Sequence, residues 1–222
     1  MKNLAIIPAR GGSKRIPRKN IKPFLGKPII LYSIETAINS GLFEEVMVST
    51  DDLEIKSLAE DAGAKVPFLR SAKNADDQAT LANVFEEVKS GYKNANFNFY
   101  CIILPTAPFI TIDLLNEGIE FLADSAFDSA RPVVSFPYPV QKAQVIKNGK
   151  LEFLYPDYKF SRSQDLVKSY HDAGLFYWIK KNKQLSKGER GGFEISAEFA
   201  HDIDDEQDWK LAELKYKVLK QS

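Results

Sequence analysis

The sequence is short of several features that mark common classes of protein. Its single cysteine, Cys101, excludes an internal disulfide and is typical of a reducing compartment. Its 30 basic and 30 acidic side chains cancel, whereas proteins that bind nucleic acids or anionic membranes generally carry a basic excess. No stretch approaches the roughly 20 apolar residues of a membrane span, and the first residues do not resemble a signal peptide. We therefore expect a cytoplasmic protein that binds neither nucleic acid nor membrane.

A basic loop with two adjacent glycines is the most distinctive local feature. The apolar run Leu4–Ile7 predicts a buried strand that ends at Pro8. The loop that follows carries five cations, which are Arg10, Lys14, Arg15, Arg18 and Lys19. Because glycine lets backbone N–H groups approach an anion, this loop suits a polyphosphate. It lacks the spacing of a P-loop and of a dinucleotide-binding loop. It is therefore either a different phosphate-binding loop or a solvated basic loop.

Strand-like and helix-like segments alternate along most of the chain. The predicted strands are Leu4–Ile7, Val46–Ser49, Lys65–Leu69, Phe99–Leu104, Val133–Phe136, Leu175–Ile179 and Ala197–Ile203. The predicted helices include Leu53–Ala62, Ile112–Leu122 and a terminal helix, Trp209–Leu219, with Leu211, Leu214 and Val218 as its apolar positions. Apolar strands separated by amphipathic helices predict an α/β fold, with a mostly parallel, Rossmann-like sheet flanked by helices. We predict a single domain over residues 1–222.

The pattern changes between about residues 137 and 170. Here Gln144–Ile146 and Leu151–Leu154 flank Asn148-Gly149, which predicts a hairpin with a tight turn. The segment is rich in Tyr, Phe and Pro. We predict a small antiparallel excursion inserted into the domain, with aromatic side chains that would suit an interface.

Two carboxylates near the carboxyl terminus form the second chemical signal. If residues 200–204 are extended, Asp202 and Asp204 project from the same side of the chain. Two carboxylates suit Mg²⁺, which also takes water and phosphate oxygens as ligands. The alternative is that Asp204 or Asp205 caps the terminal helix, and we favour capping for Asp205. Because ligands of open parallel sheets bind at the carboxyl ends of strands, we expect the acids and the basic loop to meet across one crevice.

The segment Pro8-Ala9-Arg10-Gly11-Gly12-Ser13-Lys14, followed by Pro17 and Lys19-Asn20, resembles the N-terminal signature of the CMP-sialic acid synthetase family. The resemblance extends from Ile6 to the helix after Asp204. It implies the nucleotidyltransferase fold and transfer of CMP from CTP to a sugar acid, with Mg²⁺ as cofactor. It also implies a homodimer formed through the excursion. In-line attack of the sugar's anomeric hydroxyl on the α-phosphate would release pyrophosphate.

Two segments indicate which sugar acid is the substrate. Ser161–Gln164 and Tyr170–Gly174, ending in Phe176-Tyr177-Trp178, resemble most the pseudaminic acid cytidylyltransferases of this family. Many sialic acid synthetases have a sugar-contacting glutamine where this chain has Leu104, which argues against N-acetylneuraminic acid. The alternatives are a synthetase for that acid or another sugar acid, including the eight-carbon acid of lipopolysaccharide, and a nucleotide-binding module without turnover.

By position, the resemblance assigns roles to individual residues. The catalytic cations would be Arg10, Lys14 and Lys19. The nucleotide-binding residues would be Ala9, Arg10, Gly11, Ser13, Asn20, Arg70 and Asp77. The sugar-binding residues would be Leu104, Lys142, Arg162, His171 and Tyr177. The metal ligands would be Asp202 and Asp204.

Several of these residues also fit ordinary structural roles. Arg162 could be a surface arginine, Tyr177 a core aromatic and Asp77 a helix cap. His171 next to Asp172 could act as a general base. Adjacent strand residues face opposite ways, however, and no partner nucleophile lies at a recognisable spacing. For His171 we therefore expect a sugar-contacting or structural role.

Overall fold

The structure is a computed structural model that describes residues 2–221. Its strands are β1 (Asn3–Pro8), β2 (Pro23–Phe24), β3 (Lys27–Pro28), β4 (Glu45–Ser49), β5 (Phe99–Ile103), β6 (Ser129–Ser135), β7 (Gln144–Lys147), β8 (Lys150–Phe153), β9 (Tyr170–Asp172), β10 (Phe176–Lys180) and β11 (Arg190–Glu194). Its helices are α1 (Ile30–Asn39), α2 (Leu53–Asp61), α3 (Ala72–Ala75), α4 (Leu81–Gly91), α5 (Ile112–Ala123) and α6 (Glu206–Gln221).

A seven-stranded sheet organises the molecule, with six strands in the order β11-β6-β10-β5-β1-β4 and β9 paired to β6. Strand β1 runs parallel to both β4 and β5, and β11 runs parallel to β6. Strand β10 lies antiparallel between β5 and β6. The predicted α/β class with a mostly parallel sheet is therefore confirmed.

Apolar side chains cover both faces of the sheet, which explains why its central strands are continuous apolar runs. One face packs Ile7, Ile103 and Trp178 together with residues of α1, α2 and α5. The other face packs Ile6 and Ile102 against α4. The buried thiol of Cys101 lies in the first of these layers, and burial raises its pKa, which agrees with a structural residue rather than a nucleophile.

A third apolar cluster joins the two ends of the chain. Ile16 from the basic loop and Phe24 from β2 are buried together with Ile203 and Trp209 near the carboxyl terminus. The Phe24 ring lies 5.7 Å from that of Trp209 in an edge-to-face arrangement. This cluster holds the basic loop beside the segment that precedes α6.

Two predicted strands are wrong. Residues 65–69 form only an isolated bridge between Lys65 and Met47, because Pro67 has no N–H to continue a ladder. Residues 197–203 form no strand, and the last strand is β11, which the sequence pattern did not predict. Its Gly191-Gly192 pair is typical of a turn. Here Gly191 is needed for close packing, since a Cβ would lie 2.5 Å from the Phe127 ring.

The terminal helix is confirmed, but the apolar residues named in it are not the ones that it buries. Leu211, Leu214 and Val218 are 56%, 61% and 63% exposed. The helix instead buries Trp209 and Ala212, which contact the third apolar cluster. Aromatic packing around Phe24 thus selects a face of α6 different from the one that the aliphatic residues suggest.

The predicted hairpin is confirmed as β7 and β8, which form a two-stranded sheet of their own. Asn148 and Gly149 both have positive φ, at 51° and 78°, as a tight two-residue turn requires. Among the described residues, no helix combines the length and the apolar character needed to cross a membrane.

Candidate active site

The basic loop leaves the carboxyl end of β1 and is held there by backbone and buried polar groups. The Ala9 N–H donates to the carbonyl of Ser49 over 2.9 Å, which continues the pairing with β4. The buried Asn20 donates its side-chain amide to the carbonyl of Arg10, also over 2.9 Å. The Ser13 N–H bonds to the Gly11 carbonyl over 3.1 Å. These contacts give the loop a defined shape before any ligand binds.

Gly11 occupies a position that admits no side chain. A Cβ there would lie 2.6 Å from the Oδ2 atom of Asp52. Asp52 cannot move aside without losing interactions, because it caps α2 through the N–H groups of Glu54 and Ile55 and pairs with Arg18. The Gly11 N–H itself donates to Asp51 over 3.0 Å. The Gly11 N–H thus already has a carboxylate of the same chain as its partner.

Asp77 bridges two of the predicted catalytic cations. It lies 2.8 Å from Arg10 and also pairs with Lys14. Lys14, with help from Arg10, lowers the pKa of the Asp77 carboxyl. Lys14 is otherwise 79% exposed. Arg10 and Lys14 therefore share one anionic partner and lie next to each other.

Arg70 is a buried cation whose hydrogen bonds within residues 2–221 go to Ser49. Its Nε donates to the Ser49 hydroxyl over 3.0 Å, and its Nη2 donates to the Ser49 carbonyl. Burial lowers its pKa to about 10, so it stays charged at neutral pH. Together with Arg10, Asn74 and Asp77 it lines a cavity of about 200 Å³. A buried positive charge that faces a cavity suits a polar or anionic ligand.

The basic loop and the acidic segment meet, as predicted. Arg15 pairs with Asp204 over 2.6 Å, and the Lys19 ammonium donates to the Ile203 carbonyl over 2.7 Å. Burial lowers the pKa of Lys19, and the nearby carboxylates of Asp204 and Asp202 oppose that shift. Residues 184 positions apart thus share one site.

The acid pair lies in a segment without regular secondary structure, not in the strand predicted over residues 197–203. Residues 201–204 are irregular, with Asp202 exposed and Asp204 bound to Arg15. The capping role of Asp205 is confirmed, since it accepts from the N–H groups of Gln207 and Asp208. In the described part of the chain, no three His, Cys, Asp or Glu side chains form a metal-binding group. Two carboxylates completed by phosphate oxygens and water still fit Mg²⁺.

The predicted sugar-binding residues are more dispersed than the residues of the basic loop and the acidic segment. The buried Tyr177 lies on β10, and burial raises the pKa of its phenol, with Asp172 and Asp202 adding to the shift. Leu104 follows β5 and packs against both core layers. His171 is exposed on β9, with its ring 4.9 Å from that of Phe136.

The two sugar-binding cations predicted in the excursion lie outside this cluster. Lys142 ends a short 3₁₀ turn before β7 and is half-buried. Arg162 is 73% exposed, and its Nε donates to Asp165 over 2.8 Å.

Three residues of this region were not predicted as site residues. Arg15 was predicted only as one of the five cations of the loop, and the hydrogen bond from the Gly11 N–H to Asp51 was not predicted. Arg131 was not singled out, although it pairs with Asp172 over 2.9 Å beside Tyr177. An arginine inside an otherwise apolar strand was the available signal. A larger cavity of about 660 Å³, between α1 and α6, is lined by none of the predicted site residues.

The model of the family described as Cytidylyltransferase matches residues 4–221. This chain belongs to the cytidylyltransferase family, which confirms the resemblance seen in the sequence. It is similar to the pseudaminic acid cytidylyltransferase of Campylobacter jejuni, with 41% identity over 98% of this chain and 97% of that protein. It is 33% identical to N-acylneuraminate cytidylyltransferase A of Danio rerio, over 94% of this chain and 49% of that protein.

A solved structure of CMP:2-keto-3-deoxy-manno-octonic acid synthetase complexed with CTP shares the fold. It covers 100% of both chains with a TM-score of 0.73, at 18% sequence identity. At this identity the likeness establishes the fold alone. It confirms the nucleotidyltransferase fold implied by the sequence.

Proposed function

We propose that this chain transfers CMP from CTP to a nonulosonic acid, with pseudaminic acid as the favoured substrate, and releases pyrophosphate. The relative at 41% identity carries that activity in its name and matches nearly the full length of both chains. The observation that carries the proposal is the contact of Arg15 with Asp204 and of Lys19 with Ile203. It joins a cationic loop to a pair of carboxylates, as phosphoryl chemistry on a nucleoside triphosphate requires.

In the proposed complex the triphosphate lies along the basic loop. Arg10 and Lys14, which now share Asp77, would bind phosphate oxygens. The backbone of Ala9, Gly11 and Ser13 and the buried Asn20 would keep the loop in shape. The cavity beside Arg70, at about 200 Å³, is large enough for a pyrimidine ring. Arg70 and Asp77 would then contact the nucleoside.

The reaction forms one P–O bond and breaks another. The anomeric hydroxyl oxygen of the sugar attacks the α-phosphorus in line, the bond to the β-phosphate oxygen breaks, and the hydroxyl proton passes to solvent. Arg10, Lys14 and Lys19 would stabilise the negative charge that develops on the phosphates, with contributions of several kcal/mol each typical of such groups. Mg²⁺, held by Asp202 and Asp204, would neutralise phosphate charge and make the attacking hydroxyl more acidic.

The excursion between residues 137 and 170 is proposed to contribute to the sugar site and to form a homodimer. Lys142 and Arg162 lie on it, and Arg162 is free enough of the rest of the chain to reach a carboxylate. The excursion exposes large apolar side chains, among them Tyr138, Ile146, Leu151, Phe160 and Val167. An apolar surface of this extent is typical of an interface. We place the protein in the cytoplasm, in line with its single unpaired cysteine.

The test is a pyrophosphate assay with CTP, Mg²⁺ and a panel of sugar acids. We expect the highest kcat/KM with pseudaminic acid. Asp202→Asn should lower kcat by about 100-fold, since loss of one charged group at a phosphoryl-transfer site has effects of this size. Asp124→Asn, at an exposed acid after α5, is the matched control and should keep wild-type rates.

Other outcomes would reassign the function. A higher kcat/KM with N-acetylneuraminic acid or with the eight-carbon acid would change the substrate. CTP binding without pyrophosphate release from any sugar acid would favour a nucleotide-binding module. Leu104→Gln should shift preference towards N-acetylneuraminic acid, and an unchanged preference would remove Leu104 from the sugar site.

A further inference from the structure

Arg131 and Asp172 form a neutral pair on the sheet, in a place that the proposed function does not use. Arg131 comes from β6 and Asp172 from the end of β9, and their Nη1 and Oδ2 atoms lie 2.9 Å apart. Both side chains are partly buried, at 21% and 34% exposure. The Arg131 guanidinium lies over the Tyr177 ring, 4.7 Å from its centre. Three strands therefore hold one cation, one anion and one aromatic face together.

The pair keeps hydrogen-bonding capacity for a ligand. Within the described part of the chain, Asp172 uses one N–H of the Arg131 guanidinium, which has several more. The other Asp172 oxygen accepts from the Gly174 N–H over 2.8 Å, which fixes the orientation of the carboxylate. The Tyr177 phenol is a further hydrogen-bond partner of this carboxylate. A carboxylate has about four acceptor sites, so Asp172 keeps capacity for a ligand N–H. The pair thus offers an oriented donor beside an oriented acceptor.

The pair also lies on the side of the site where a sugar would be. Register places Arg131, Asp172 and Tyr177 on one face of the sheet, because Val133 pairs with Asp172 and Ala130 pairs with Trp178. Tyr177, which the sequence predicts to bind the sugar, lies under the Arg131 guanidinium, 4.7 Å from it. A sugar that reaches Tyr177 would therefore bring a ring substituent beside the pair.

The charge balance of the pair selects the kind of group that it can bind. A carboxylate would meet the negative charge of Asp172, and a cation would meet Arg131. A secondary amide presents one C=O acceptor, one N–H donor and an apolar acyl group. We propose that Arg131 and Asp172 bind an acylamino substituent of the sugar acid. Arg131 donates to the amide oxygen, and Asp172 accepts from the amide N–H.

This inference rests on the proposed function, and the experiment separates the two. Pyrophosphate release is measured with saturating CTP and two sugar acids, one with acylamino groups and one with hydroxyls in their place. Wild type should prefer the acylamino sugar by about 10- to 100-fold in kcat/KM. Arg131→Gln should remove that preference, mainly by raising KM for the acylamino sugar. Its KM for CTP and its rate with the hydroxyl analogue should stay within about threefold of wild type.

Asp172→Asn keeps the size of the side chain and should show the same selective loss. Arg190→Gln, at an exposed arginine of β11, is the control and should keep the wild-type preference. Thermal unfolding and CTP affinity report whether each variant is folded. Equal losses with both sugars would overturn the subsite and leave a structural pair. No turnover by wild type with either sugar would instead overturn the proposed function itself.

Discussion

At the scale of single residues, the site is organised by carboxylates that hold cations in place. Asp77 bridges Arg10 and Lys14, Asp204 holds Arg15, and Asp52 holds Arg18. Arg18 has a left-handed backbone, with φ of 55°, which a non-glycine residue rarely adopts without support. Its ion pair with Asp52 supplies that support. The arrangement fixes the loop in the unliganded chain, which would reduce the cost of ordering it when the proposed triphosphate binds.

The pair of Asp52 and Arg18 makes stability depend on pH. Arg18 holds the pKa of the Asp52 carboxyl below its ordinary value of about 3.9. Its contribution is therefore present above that value and is lost as the pH falls through the lower, folded-state pKa. Asp52→Asn keeps a good helix cap but removes the charge. We expect it to cost about 1 kcal/mol in the free energy of unfolding at pH 7, since partial exposure of Arg18 screens the pair.

Urea unfolding at several pH values checks this expectation. The difference between wild type and Asp52→Asn should shrink as the pH falls below about 4 and disappear once the folded-state carboxyl is protonated. Asp61→Asn, at an exposed acid of the same helix, should change the pH dependence less. A difference that stays constant from pH 7 to pH 3 would show that the charge of Asp52 is not what stabilises the loop.

At the scale of elements, the edge strand β11 depends on close packing at one glycine. Its Gly191 faces the stacked rings of Phe121 and Phe127, and a Cβ would lie 2.6 and 2.5 Å from them. Gly191→Ala should cost about 1–3 kcal/mol in the free energy of unfolding, the usual size of an overpacking penalty. Chemical denaturation gives the value directly.

Gly192 provides the matched control in the same strand. A Cβ there would lie 3.3 Å from the nearest atom of Val133, on the exposed side of the sheet. Gly192→Ala should therefore change stability by less than about 1 kcal/mol, because it also reduces the freedom of the unfolded chain. Equal effects of the two substitutions would mean that the aromatic contact at Gly191 is unimportant.

At the scale of the whole molecule, the excursion leaves large apolar side chains exposed to solvent in a single chain. Phe160 and Val167 are 89% and 80% exposed. If this surface forms the proposed homodimer, the double variant Phe160→Ser/Val167→Ser should weaken it without unfolding the chain. Light scattering after gel filtration should give twice the chain mass of 25.0 kDa for wild type, and a mass nearer one chain for the variant.

Leu53→Ser tests whether that effect is specific. Leu53 is 70% exposed at the start of α2, outside the excursion. This variant should keep the mass of wild type. A monomeric wild type, or a loss of mass from Leu53→Ser as well, would rule out the excursion as the interface.

The sequence alone was sufficient for the family and the class of fold. Apolar runs predicted β1, β4, β5 and β10, because the residues of a buried central strand are themselves mostly apolar. The family signature in residues 8–20 also depends on local order only. It predicted a family that the comparisons confirm.

Tertiary structure decided what depends on contacts between distant segments. Strand β11 was hidden because two glycines favour a turn unless aromatic rings from elsewhere pack upon them. The buried face of α6 was chosen by Phe24, more than 180 residues earlier. Arg131 becomes a candidate ligand only because β9 and β10 bring Asp172 and Tyr177 beside it. Such pairings depend on which strands become neighbours, and no short stretch of sequence contains that information.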